Sequence, residues 1–466
     1  MSANSLPRRE FLAGLVASSS LGVSAGVDGG RAPLLRLGVV SDLHIMIPET
    51  CRMFEQALTY FKARRVDAVV VPGDLTDWGL KSGLGYVKAT WDKVMGGTRT
   101  VPLFITGNHD FDGWWYGDMT MEMHANGYDE AEALTKLGMK ACWEEAFKEE
   151  WAPVRLRHVR GFDVLSAEWG HEREVPAWLA ANGASLRGKK PFFYVQHSPV
   201  SAMKEVQAAF ADYPNCIALT GHIHRTFNYE RNLRQDGLTE ISVPSLSCQT
   251  PPWGHENGDD TRRGESTLAM PLIPDRLVLR GGQGYVISLF ADEMVVERRD
   301  IARDAEGVAP WRVPLPMTEG NRPYESKVRE RSVGVPAFPV GATLETFTRN
   351  TENRQGKWTI VMVCTFPSAT VADGTRVWDY EIRAVPKDGS EPLVKRFLSP
   401  AYARMADCEP ERQRFWFDVA NLPQDKDYVI EVRARNCFGK CSERLVSKVW
   451  HGKPGLAYAV RNAVEN

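Results

Sequence analysis

Leu35-Arg36-Leu37-Gly38-Val39-Val40-Ser41-Asp42-Leu43-His44 decides the fold. A short run of strand texture ends in a turn that carries a carboxylate and an imidazole. The same grammar returns four times. Val66 to Val71, apolar apart from Asp67, leads into Gly73-Asp74-Leu75-Thr76-Asp77. Pro102 to Thr106 leads into Gly107-Asn108-His109-Asp110. Phe192 to Val195 precedes Gln196-His197-Ser198, and Cys216 to Leu219 precedes Gly221-His222-Ile223-His224. Between the first two runs, Phe54, Ala57, Leu58 and Phe61 recur at helical spacing. Short β-branched runs separated by helices predict βαβ units and a buried, largely parallel sheet. In such a sheet a ligand site lies outside the carboxyl ends of the strands. Five loops there can converge on one point.

Taken singly, several of these motifs say little. Asp-x-His is common, and Asp74 alone reads as a helix cap. Their order and setting carry the weight: five of the chain's ten histidines fall in these segments. Carboxylate, imidazole and amide oxygen suit Mn²⁺, Fe and Zn²⁺. No thiolate belongs to the set, so a structural cysteine-rich zinc site does not fit. The glycines before Asp74, Asn108 and His222 let the backbone turn sharply and bring loops close together.

With these motifs the chain resembles the calcineurin-like metallophosphoesterases, in which all five occur in this order, over roughly Leu34 to Arg299. The resemblance implies an α/β (α+β) fold, two facing mixed β-sheets flanked by helices in a four-layer sandwich. It implies two divalent metal ions, Mn, Fe, Zn or similar. Asp42, His44, Asp74 and His224 would hold the first; Asp74, Asn108, His197 and His222 would hold the second, with Asp74 bridging. The implied activity is metal-dependent phosphoester hydrolysis, with a metal-bridging hydroxide attacking phosphorus in line. Asn108 would also orient the phosphate, and His109 would assist the leaving group. Asp110 beside His109 would fix its tautomer. The purple acid phosphatase branch has a tyrosine where Asp77 stands and lacks a His at the position of His44, so this chain should not be purple. Asp77 reads equally as an orienting residue or a loop cap.

The surroundings are less specific. Trp114-Trp115-Tyr116 reads as a pocket wall or as core beneath the loop. Gln249 to Gly284 is a long Pro/Gly/charged segment of the length of a functional lid. Arg225 adjoins His224 and is either a phosphate contact or a surface cation; His255 is not expected as a ligand.

Beyond Thr226 the pattern changes to consecutive strands: Thr226 to Leu233, Leu238 to Val243, Tyr285 to Phe290 and Met294 to Arg298. A Pro-rich linker at 301–340 then precedes an all-β region at 341–452, with a tail at 453–466. Strand runs at Trp358 to Val363, Val377 to Val385, Phe415 to Val419 and Tyr428 to Val432 predict a small β-sandwich. Leu422-Pro423 before Tyr428, and Ala434 to Gly439 after it, resemble the end of a fibronectin type III module, with Tyr428 as its tyrosine corner.

At the N-terminus, Arg8-Arg9 with Phe11-Leu12 and a mildly apolar run to Val27 resembles a twin-arginine export signal over residues 1–30. An exported, periplasmic or extracellular protein follows from that resemblance. No later stretch has the roughly 20 apolar residues of a membrane span, so the mature chain is expected without one. Of eight cysteines, Cys437 and Cys441 bracket a tight turn and form the best disulfide pair, while free thiols are an equal reading and connectivity stays open. The 466 residues are 43% hydrophobic and 25% charged, with a net charge of -2. That composition excludes a disordered chain, and near-neutral charge argues against nucleic acid as partner, and so against a nuclease. A small phosphoester is the expected substrate. The competing class is an exported binding or adhesion protein that uses the sandwich, with the metal domain as scaffold.

Overall fold

The computed structural model describes residues 30–79, 81–114, 123–188, 190–250, 254–256, 281–306, 308–352, 358–400, 410–423 and 425–452. The twin-arginine stretch, Trp115, Tyr116 and most of Gln249 to Gly284 lie outside these residues.

Two mixed sheets face each other. The first contains β1 (Leu35–Val39), β2 (Ala68–Pro72), β3 (Val101–Ile105), β10 (Gln283–Leu289), β11 (Glu293–Asp300), β12 (Ala305–Glu306) and β13 (Trp311–Pro314). Its order is β12-β11-β10-β1-β2-β3, with β13 also on β11; β1, β2 and β3 are parallel. The second contains β4 (Val154–Val159), β5 (Phe162–Ala167), β6 (Phe192–Gln196), β7 (Cys216–Thr220), β8 (Leu233–Arg234) and β9 (Thr239–Ser242). Its order is β4-β5-β6-β7-β9-β8, with β5, β6, β7 and β9 parallel.

Because side chains alternate across a strand, each parallel strand supplies two cores. Leu35, Leu37, Val39, Val70, Phe193, Val195, Ile217 and Leu219 meet between the sheets. Val69 and Val71 face outward beneath α1 (Cys51–Ala63) and α2 (Lys81–Met95). Phe192, Tyr194 and Ala218 face outward beneath the helices Val175–Asn182 and Lys204–Ala209. The result is a mixed α/β sandwich, two facing sheets with helices outside, as expected. The two sheets are joined at their carboxyl edge by a parallel bridge between Ser41 and Ser245.

Two stretches depart from expectation. Of Thr226 to Leu233 only Leu233 is in a strand, at the start of β8: before it a turn closes when Asn232 Nδ2 donates to Thr226 O at 2.9 Å, and a 3-10 helix covers Glu230–Asn232. The buried Glu230 carboxylate imposes this, since it accepts from Arg298, Trp311 Nε1 and Arg329. The Pro-rich stretch, expected as a linker on the surface, enters the first sheet as β13, because Trp311, Val313 and Met317 are core side chains.

The C-terminal region is all-β. One antiparallel sheet joins Glu345–Glu352, Trp358–Pro367 and Arg412–Asp418; the other centres on Asp379–Pro386 and Asp427–Arg435. A separate core fills the space between them. Tyr428 Oη donates to Pro423 O at 2.6 Å. Cys437 and Cys441 are free thiols, not a disulfide.

Candidate metal centre

Each predicted motif follows a strand: Asp42 and His44 after β1, Asp74 after β2, Asn108 and His109 after β3, His197 after β6, and His222 and His224 after β7. The loops are tightly wound. Among the described residues, ten non-glycine residues have positive φ, and five of them are Asp42, His44, Asp74, His222 and His224. Left-handed backbone costs an L-residue roughly 1–2 kcal/mol, so the concentration of such residues at one edge marks a site that is held by its surroundings. Gly73 turns at φ 91°, and a Cβ on it would lie 2.2 Å from His197 Nδ1. A Cβ on Gly107 would lie 2.2 Å from Asp74 Oδ1.

All seven expected ligands converge. His224 Nε2 lies 3.0 Å from Asp42 Oδ1 and 3.3 Å from His44 Nε2, which is 3.7 Å from Asp74 Oδ2. The donor atoms of Asp42, His44, Asp74 and His224 all fall within 4.8 Å of one another, a spacing that could hold a metal ion. On the other side of Asp74, His197 Nε2 lies 3.2 Å from Asp74 Oδ2 and 3.0 Å from Asn108 Oδ1. His222 Nδ1 is 3.0 Å from the same amide oxygen.

Tautomers decide what these contacts mean. His197 Nδ1 donates to Pro72 O at 2.8 Å and His44 Nδ1 to Asp77 Oδ1 at 2.7 Å, while His224 Nδ1 lies 3.2 Å from Cys248 Sγ. In the neutral rings of His197 and His44 this leaves Nε2 as a lone pair. His197 Nε2 then faces Asn108 Oδ1 and Asp74 Oδ2, so three acceptors meet. His44 Nε2 likewise presents a lone pair toward His224 Nε2 and the Asp74 carboxylate. A cation resolves such a meeting of acceptors, and the donor set is of the type that binds Mn²⁺, Fe or Zn²⁺.

With only protons available, the same groups titrate far from their ordinary values. Burial lowers His197, but the hydrogen bond and charge of Asp74 and the charge of Asp42 carry it up to about 9. Burial lowers His224 too, but the charge and hydrogen bond of Asp42, then Cys248, carry it up to about 11. Asp42, which burial alone would raise, is held below the usual carboxylate range by His224.

His109 sits beside this set. Its backbone N–H donates to Asp74 Oδ1 at 3.0 Å. The carboxylate that meets its Nδ1, at 3.3 Å, belongs to Asp77, not to the neighbouring Asp110. Asp110 is buried and clasps two loops: it accepts from the backbone N–H of Leu75, Thr76 and Gly107 and from Thr76 Oγ1. Burial, then the Asp74 charge, pushes it up to about 6. Asp77 therefore spans His44 and His109, and their hydrogen bonds hold its pKa well below the usual range.

Three residues at the site were not among the expected ones. Trp169 follows β5 with its ring centroid 5.7 Å from His197 and 5.9 Å from His222. Glu168 before it is buried, pairs with Arg155, and accepts from Thr106 N and Oγ1 at 2.7 Å, anchoring the start of the Asn108 loop. Cys248 braces His224. Arg160-Gly161 between two alternating runs was the available signal for the β4–β5 hairpin that delivers Glu168 and Trp169.

Residues 35–226 match the family model described as calcineurin-like phosphoesterase, and this stretch of the chain is a calcineurin-like phosphoesterase domain. Among solved structures, a dimetal phosphatase from Danio rerio aligns at TM-score 0.37 and 13% identity, over 61% of this chain and 100% of that one. The anchor protein of the Plasmodium inner membrane complex aligns at TM-score 0.34 and 12% identity, over 61% and 89%. A purple acid phosphatase from yellow lupin, Lupinus luteus, aligns at TM-score 0.36 and 12% identity, over 60% and 54%. No curated protein matches the chain. No described helix is long and apolar enough to cross a membrane.

Proposed function

We propose that this chain is a binuclear metal-dependent phosphoester hydrolase. The observation that carries the reading is the meeting of imidazole lone pairs, carboxylates and one amide oxygen on both sides of Asp74. Asp42, His44, Asp74 and His224 would hold one cation and Asp74, Asn108, His197 and His222 the other. Bound there, two divalent cations supply a water acidic enough to lose its proton near neutral pH and neutralise charge on the phosphoryl oxygens. Among the protein groups, Asp74 spans the two half-sites, and Asn108 sits between His197 and His222, where its amide orients a phosphoryl oxygen. His109 holds a proton for the leaving oxygen, and Asp77 at Nδ1 leaves Nε2 to deliver it. Asp110 serves the reaction by clasping the Asp74 and Asn108 loops together.

The C-terminal sandwich reads as fibronectin type III-like. The two antiparallel sheets and the Tyr428 to Pro423 bond support that reading. The twin-arginine motif supports export, with the metal acquired in a folded chain. A small phosphoester fits as substrate, given the near-neutral charge of the chain.

The test measures hydrolysis of p-nitrophenyl phosphate and bis-p-nitrophenyl phosphate by purified chain, before and after chelation and with Mn²⁺ or Zn²⁺ restored. The reading expects activity that chelation abolishes and metal restores; the ratio of the two rates separates monoesterase from diesterase. Hydrolysis of neither ester by metal-loaded chain removes the reading.

A further inference from the structure

Two stretches flank the metal-binding loop after β7, and both are gripped by the C-terminal sandwich. On one side lies Arg225 to Arg231. The Tyr229 ring packs against Trp378 with centroids 4.6 Å apart, and buried Leu398 completes the cluster. Arg231 Nε donates to Cys437 O at 2.9 Å, and its guanidinium lies 4.9 Å over the Phe438 ring. On the other side, Thr250 N donates to His224 O at 2.9 Å and Cys248 braces the His224 ring. A few residues further on, His255 Nε2 meets Asp379 at 2.8 Å, next to Trp378. Glu256 N donates to Arg396 O at 2.8 Å, and its carboxylate pairs with Lys395. The sandwich therefore holds the chain both before and after the point where it binds His224. Only a few residues separate Trp378 from the metal centre, through Tyr229, Arg225 and His224. The Arg225 guanidinium lies 4.8 Å over the Tyr229 ring, and among the described residues it makes no ion pair. That leaves its charge for an anionic group of a substrate.

We propose that the C-terminal sandwich is a positioning element of the metal centre: Trp378, acting through Tyr229, sets the loop that carries His224 and Arg225. The proposal rests on the hydrolase reading for its kinetic consequence but not for its structural one. Trp378 packs on Tyr229, and its effect on the metal centre passes through the loop that Tyr229 belongs to.

The test uses the full chain with Mn²⁺ present and compares wild type with Trp378→Ala, Trp378→Phe, Tyr229→Ala and the double alanine variant. Amide exchange over residues 221–232 is followed by mass spectrometry, with kcat and KM for p-nitrophenyl phosphate and Mn²⁺ affinity measured alongside. Both alanine variants should exchange faster in that loop while residues 107–110 exchange as in wild type. Each should lose roughly tenfold in Mn²⁺ affinity or kcat/KM, the scale seen when groups that orient metal ligands are removed. Part of the loss should appear as raised KM. Trp378→Phe should recover most of the loss, and the double variant should be no worse than either single one, because both remove one contact. Unchanged exchange in both alanine variants overturns the proposal, and so does a loss that Trp378→Phe fails to recover. Faster exchange in a chain whose wild type hydrolyses nothing upholds the positioning role and removes the hydrolase reading instead.

Discussion

Around Asp42, His44 and His224 each imidazole is braced on its far nitrogen by a side chain, Asp77 for His44 and Cys248 for His224. Around Asn108, His197 and His222 the brace for His197 is a backbone carbonyl, and His222 stands exposed. The first half-site joins two carboxylates to two imidazoles; the second shares one of those carboxylates and adds a neutral amide. Charge and burial should make the first half-site the tighter of the two. The second, with His222 exposed, is where a phosphoryl group would enter beside a cation held there. Trp169, against both His197 and His222, forms the wall of that more open side.

Breaking what the halves share should have the largest effect. Asp74→Asn is expected to leave neither half-site filled and to reduce hydrolysis to background; metal analysis of that variant with both metals in place would break the comparison. Next comes a group that lies outside both halves. His109→Asn should keep its metal and lose on the order of 10²–10⁴-fold in kcat with alkyl phosphates. The loss should be smaller with p-nitrophenyl phosphate, whose leaving group needs no proton. Equal losses for the two esters would exclude the acid role.

Asp77→Asn and Cys248→Ala should sharpen the contrast between the halves. Each removes a brace from the first half-site only and should weaken one metal by roughly 10–100-fold. A calorimetric titration that shows both metals weakened equally would count against two separable half-sites. Asp77→Asn should also lower kcat, since it frees His109. The smallest effect concerns protons. In the metal-stripped chain the His197 to Asp74 pair is stabilising while His197 is protonated. That contribution is fully present below the ordinary value of 6.5 and is lost as pH rises through about 9. The Tm of stripped chain should therefore fall over that window, while metal-loaded chain, which binds neutral imidazole, should show no such fall.

How much of this was legible in the sequence varies with the range of the interaction. The strand-then-ligand motifs could be read because each is local: an apolar run, a tight turn and a donor lie within about ten residues of one another. Convergence at the carboxyl edge then follows from parallel pairing. Asp110 shows the limit of such reading. Adjacency suggested that it served His109, yet its carboxylate bonds to Leu75 and Thr76, 35 and 34 positions away. Cys248 was illegible for the same reason, since nothing local ties it to His224. Thr226 to Leu233 had the composition of a strand, and a buried carboxylate with three partners overrode it. The sandwich itself was visible as alternating strand runs, but its grip on the metal loop depends on Tyr229 meeting Trp378 across 149 positions of chain, which no periodicity encodes.

Metal equivalents per chain test the central claim most directly, measured by mass spectrometric metal analysis after reconstitution and dialysis in wild type, His222→Ala and Asp74→Asn. Two, one and none are expected, with hydrolysis of p-nitrophenyl phosphate only in the chain that holds two. A wild-type chain that retains fewer than two equivalents, or a His222→Ala chain that keeps both, would contradict it.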